Sequence, residues 1–235
     1  MRGGLNPQQA KLMAEAIAIL KQQGATIVDP ADVPSLVDKD PNNNFLRWDF
    51  CAGGEQSRGT DATCSVNFKY GMKRDYNIWL KSLGPSAPVK TLKEHREWNM
   101  AHTRAGAIRF GQSRFDISDE MDLEADRARN AADGAKDARL SRTQGIDAVL
   151  KAHNLDAIFT PGGSGAGLAA RAGYPIIVVP FGIVPQNVEN LPAGFNPKPA
   201  PFGVGFTGMA CSEPRLIELA YAFEQATKRR VPPLP

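Results

Sequence analysis

At 235 residues the chain can bury a core in one large domain or two small ones, and its 42% hydrophobic and 23% charged residues are ordinary for a globular protein. The net charge of +3 is spread along the sequence, and the one dense basic cluster, Lys228-Arg229-Arg230, suits a helix C-terminus better than a grip on nucleic acid. The longest apolar run, "YPIIVVPFGIVP" (174–185), is short and cut by prolines, and the start "MRGGLNPQQAK" is polar, so neither a membrane span nor a leader is expected and the expected compartment is the cytoplasm.

Asn6 followed by Pro7 predicts a helix start, with a side-chain acceptor at the cap and then a residue lacking the N–H that a helix would orphan. Leu12, Met13, Ala16, Ile17 and Leu20 follow at helical spacing, and Gly24 ends the helix. "ATIVD" (25–29) reads as a short buried strand. Residues 30–60 are rich in Pro, Asn, Asp and Gly and read as a long excursion with little regular structure. From Asp61 to Leu83 the pattern is helical, with Phe68, Met72, Tyr76 and Trp79/Leu80 on the apolar face. Thr91 caps a helix running through Trp98 toward His102. Residues 118–154 form a long charged helical region, which Gly134 and Gly145 are placed to interrupt. Its charges alternate at i,i+3 and i,i+4, the pattern of a solvated face.

The last third alternates between strand and helix. "DAIFT" is a strand, "GAGLAARAG" a short helix, and "PIIVVP" a strand without polar alternation, hence expected to be buried on both faces. "FGVGFTG" is a further strand, and Ser212 caps a final helix with Leu216, Leu219/Ala220, Phe223 and Ala226 as its core stripe. Trp48, Trp79 and Trp98 read as packing residues.

The stretch "PGGSGAG" (161–167) is where chemistry would be sought first. It lacks the Lys-[Ser/Thr] of a phosphate loop, and its glycines are spaced wrongly for a dinucleotide fold. Around Ser164 the residues two before and two after are Gly162 and Ala166, which is not the Gly-x-Ser-x-Gly elbow. A Ser164 nucleophile would also need a histidine. His153 lies at the other end of the preceding strand, and His95 and His102 lie on a charged helix, where they read as surface residues. Cys51, Cys64 and Cys211 form no CxxC pair, so a zinc site is not expected, and no cofactor motif is present. The default for these cysteines is reduced thiols, with a single Cys51–Cys64 bridge as the alternative. The carboxylates of 116–137 show no apolar setting that would raise one pKa for acid catalysis.

"LDAIFTP", "GYPIIVVPFG" and above all "PFGVGFTGMACSEPRLIELAYAFEQATKRRVPP" resemble the closing third of amidase signature family enzymes. "AIAILKQQGATIVDP" and "FKYGMKRDYNIWLKSLGPSAPVKTLKE" resemble the central region of the same family. The resemblance implies an α/β fold: part of an amidase-signature domain, a mixed sheet covered by helices, with a helical insertion over about 61–154. It implies hydrolysis of carboxylic amides by a Ser–Ser–Lys set, with a glycine- and serine-rich loop as oxyanion hole. No two serines are adjacent in these 235 residues, and Lys39 and Lys90 match a catalytic lysine in local sequence only, so no catalytic residue carries over. By its position in the family, "PGGSGAG" turns a strand end into a helix beside the substrate channel, and Thr160, Gly162 and Gly163 are expected to line that channel. No metal and no cofactor is implied. The expected partners are a small-molecule amide in the complete enzyme, and either a missing N-terminal half or a second copy of the chain, with no nucleic acid and no membrane. The leading reading is a C-terminal or split piece of an amidase, inactive alone. A self-sufficient hydrolase using Ser164 and a non-catalytic binding module on the same scaffold are the alternatives.

Overall fold

The computed structural model describes residues 4–52, 63–185, 194 and 198–232. The chain forms two compact units, one from residues 1–37 with 141–235 and the other from residues 38–140.

The first unit begins with helix α1 (Pro7–Gln22), which starts where the sequence predicts. The Asn6 side chain accepts from the Gln9 N–H at 2.9 Å, and the Gln9 side chain accepts in return from the Asn6 N–H at 3.1 Å. This reciprocal cap satisfies two donors that the first turn leaves orphaned. Past Gly24 the expected strand is absent: residues 25–29 adopt no regular structure, and Val28 is 37% exposed. A four-residue turn of helix, α2 (Pro34–Val37), completes this segment.

The sheet has three strands, β1 (Ile158–Pro161), β2 (Ile176–Val184) and β3 (Ala200–Thr207), in the order β1-β3-β2, with both pairings antiparallel. A bulge between Pro180 and Gly182 shifts the β2 register. One face of the sheet presents Phe181, Val204 and Phe206 to Met13 and Ala16 of α1 and to Leu216 and Phe223 of the final helix. Each such fully buried side chain contributes roughly 1.5–3 kcal/mol relative to exposure. The opposite face is covered only in part. Thr160 and Thr207 are buried there, yet Val178 is 46% and Ile183 49% exposed. The expectation that "PIIVVP" is buried on both faces is therefore overturned: β2 alternates, because α1 and the final helix pack on one side of it. The final helix (Glu213–Thr227) buries Leu216, Ala220 and Phe223 as the stripe predicts. Ser212 precedes it without a side-chain cap, its hydroxyl donating instead to the Met209 carbonyl at 2.7 Å. Beyond the helix, Arg229 lies over the Phe181 ring and pairs with Glu15 of α1.

The second unit is helical: α3 (Asn67–Ser82), α4 (Leu92–Ala101), α5 (Ser113–Asp119) and α6 (Arg127–Ala138). Thr91 caps α4 as expected, accepting from the Glu94 N–H at 3.1 Å. Gly134 sits inside α6 without breaking it, whereas Gly145 leaves helical backbone in the irregular stretch before α7 (Asp147–His153). In chain order, α8 (Ala166–Ala172) follows β1, and α9 is the final helix.

One expectation in this unit holds only in part and another fails. Of the α3 stripe Leu80 is buried and Met72 and Tyr76 are half-buried, but Phe68 is 40% and Trp79 51% exposed, while Lys69 and Tyr70 are buried. Polar partners set this rotation. Lys69 pairs with Glu120, the Tyr70 hydroxyl donates to the Leu123 carbonyl at 2.7 Å, and the Asn77 side chain accepts the Leu92 N–H at 2.7 Å. The default of reduced thiols also fails, because Cys51 and Cys64 form a disulfide. The glycine-rich residues between them, like the predicted helix start at Asp61, lie largely outside the described residues.

Candidate functional site

β1 delivers the chain into the turn that the sequence singles out. Thr160 occupies a strand position opposite Gly205, and Gly162 takes a left-handed φ of +53°. The Gly162 N–H donates to the Gly203 carbonyl at 2.7 Å, so the turn stays tied to β3 past the end of the strand. A Cβ at Gly205 would meet the Gly162 oxygen at 2.6 Å and the Thr160 hydroxyl at 2.8 Å. The bare backbone of β3 is what lets the turn close down on the sheet. α8 starts immediately behind, at Ala166, and ends on Gly173 in the left-handed region.

The three residues expected to line a channel thus share one strand end but differ in exposure. Gly163 is exposed with open space around it, Gly162 is partly covered, and Thr160 is 1% exposed. Among the described residues neither the Thr160 nor the Thr207 hydroxyl has a hydrogen-bond partner. Leaving a buried hydroxyl without a partner costs about 1–3 kcal/mol. Thr207 escaped the sequence reading. The signal that could have found it is the alternation of "VGFTG", which sends Thr207 to the same face as Thr160.

Ser164 is exposed in the turn, and its N–H donates to the Pro161 carbonyl at 3.2 Å. His153 is the last residue of α7, so the length of β1 separates it from Ser164. His95 is half-buried, not a surface residue as expected: its Nδ1 lies 2.7 Å from the Tyr76 hydroxyl, and its ring meets Phe115 edge-on at 5.2 Å. Of the two lysines considered, Lys39 is exposed, and Lys90 donates its ammonium to the Gly84 and Pro85 carbonyls after α3.

The antiparallel sheet with α1 and α9 packed on one face belongs to a fold shared with solved amidases. No family model matches the chain. It is 28% identical to the native peptide amidase of Stenotrophomonas maltophilia, with a TM-score of 0.67 over 96% of this chain and 41% of that one. An amidase family protein of Bacillus anthracis shows the same fold at 20% identity and a TM-score of 0.68. Among curated proteins, a probable amidase of Arabidopsis thaliana is 29% identical over 99% of this chain and 39% of its own length. Along nearly all of its length the chain is thus similar to amidases, and it spans about two fifths of the length of the relatives it matches.

Proposed function

We propose that this chain is a C-terminal or split piece of an amidase that, when complete, hydrolyses carboxylic amides to an acid and ammonia or an amine. The observation that carries this reading is the pairing of a match over 99% of this chain with the absence of adjacent serines from its 235 residues. The Ser–Ser–Lys set then belongs to the part of the enzyme not matched here, and this chain supplies scaffold and channel wall. In that role the turn after β1 borders the substrate. Gly162 and Gly163 leave room for it, and Thr160 supports the turn from beneath. The structural neighbour named as a peptide amidase makes a peptide amide the first substrate to test. The partner is the remaining part of an amidase, with a second copy of this chain as the other candidate. The Cys51–Cys64 bridge fits an oxidising compartment better than the cytoplasm that the scattered cysteines suggest.

Intact-mass analysis after treatment with a fluorophosphonate tests the reading, run on chain shown by circular dichroism to be folded. The expected result is no adduct and no release of ammonia from a peptide amide. An adduct mapping to Ser164 would overturn the reading in favour of a nucleophile on the turn.

A further inference from the structure

Helices α4 and α5 are joined by a knuckle of chain, residues 100–111. Side chains close its neck: the Asn99 amide donates to Gln112 Oε1 at 3.2 Å, and the Gln112 amide donates to the Arg96 carbonyl at 3.5 Å. Beyond the neck a 3-10 turn (Thr103–Ala105) leads into further tight turns, with Gly106 and Gly111 at left-handed φ of +86° and +76°. The N–H groups of Ala105, Gly106, Ala107, Arg109 and Gly111 all bond to carbonyls between His102 and Ile108. A loop closed in this way holds its own shape and presents side chains, not free backbone, to its surroundings.

What it presents is apolar and basic. Phe110 is 93% exposed, and Arg109 lies 5.5 Å from the centre of its ring. At the root, half-exposed Trp98 stacks on His102 with ring centroids 3.9 Å apart. From Trp98 to Phe115 the sequence holds three arginines and no Asp or Glu. The carboxylates on either side are taken, Glu97 by Lys93 and Asp116 by Arg96, and Arg114 turns away over Phe68. Among the described residues Arg104 and Arg109 therefore stand exposed without a carboxylate partner.

We propose that the knuckle is a peripheral membrane contact: Phe110 enters the interface of an anionic lipid surface, and Arg104 and Arg109 pair with the headgroups around it. The inference stands apart from the amidase reading. It sets aside the expectation of no membrane partner, which rested on the lack of a span. No described helix is long and apolar enough to cross a membrane, and a surface contact needs none. The form of the knuckle selects lipid over other anionic partners. A stable protein interface takes roughly 20–30 residues a side, more than the knuckle has, and its internally bonded backbone offers no strand edge. A nucleic-acid strand is tracked by a basic groove, which two arginines on a projecting turn do not make. A lipid surface asks only for an exposed aromatic side chain with cations beside it.

The test is co-sedimentation of the full chain with phosphatidylcholine vesicles that contain phosphatidylserine, against vesicles of phosphatidylcholine alone. The expected result is binding at least about tenfold tighter to the anionic vesicles, weakening as salt is raised. Phe110→Ser is expected to weaken it about tenfold, and Arg104→Glu combined with Arg109→Glu to abolish it. These positions are exposed, so circular dichroism of each variant should match that of the parent chain. Phe110→Trp should keep the binding, with indole emission that moves to shorter wavelength only when anionic vesicles are present. Equal binding to both vesicles, sedimentation with neither, or anionic binding that either variant leaves intact would overturn the proposal, and none of these outcomes touches the amidase reading. Retention by single-stranded DNA without sedimentation on vesicles would overturn it in favour of a nucleic-acid partner.

Discussion

Asp137 has the most demanding surroundings of any carboxylate described in the second unit. It is 4% exposed and accepts from the Trp48 indole N–H at 2.8 Å, the Ser65 hydroxyl at 2.7 Å and the Asn67 amide at 2.9 Å. Those three donors tie the segment before the disulfide, the start of α3 and the end of α6 to one point. Asp137→Ala would leave them facing an apolar gap, and a loss of about 3 kcal/mol or more is expected from a urea titration followed by tryptophan fluorescence. Two tyrosines make a prediction at the other end of the pH scale. Burial raises the Tyr76 hydroxyl above its ordinary value, and burial together with a hydrogen bond to Asp147 does the same for Tyr174. A raised phenol pKa means that the folded state holds its proton longer than the unfolded chain does. Stability is therefore unaffected below about pH 10 and falls as pH rises beyond the unfolded value. Phenolate absorbance should show Tyr76 and Tyr174 titrating late, and Tyr76→Phe should shrink the alkaline loss. The cysteines give a third test. Without reductant, iodoacetamide should add one group, at exposed Cys211, where the reduced unfolded chain takes three.

At the scale of elements, α3 separates what periodicity reports from what it does not. Leu80→Ala, at a buried position, is expected to cost about 2–5 kcal/mol, whereas Trp79→Ala, half exposed next to it, should stay within about 1 kcal/mol in the same denaturation experiment. The sequence pattern put Phe68, Met72, Tyr76 and Trp79/Leu80 inward together, yet only Leu80 of these is fully buried, because spacing measures which residues share a face and not which part of it is inside. The deciding groups are Lys69, Tyr70 and Asn77, whose partners lie 15 to 53 residues away. Helices α1, α4 and α9 were legible because their caps and stripes are local. The strand expected at 25–29 was not. Its composition is right, but a strand exists only through a neighbour, and β1 offers its edge across a cleft. The same holds for the site. The turn at 161–165 shows in its glycines, while Thr207 and the bare backbone of Gly205 beneath it come from β3, some 40 residues on.

For the whole molecule, the match to amidases and the missing serine pair lead to one expectation. The folded chain should release no ammonia from a peptide amide by itself, and activity should return only with the complementary part of an amidase, measured by coupled ammonia detection. On the proposed reading such a chain also has to avoid self-association before it meets that part. An exposed strand edge ordinarily recruits copies of itself, each new edge repeating the last. Pro161 interrupts that repetition. The Gly162 N–H bonds to β3, so Pro161 before it faces the other way and withholds a donor there, and identical strands stacked on this edge would lose a bond at every layer. The proline thus acts as a gatekeeper, making open-ended fibril growth less favourable.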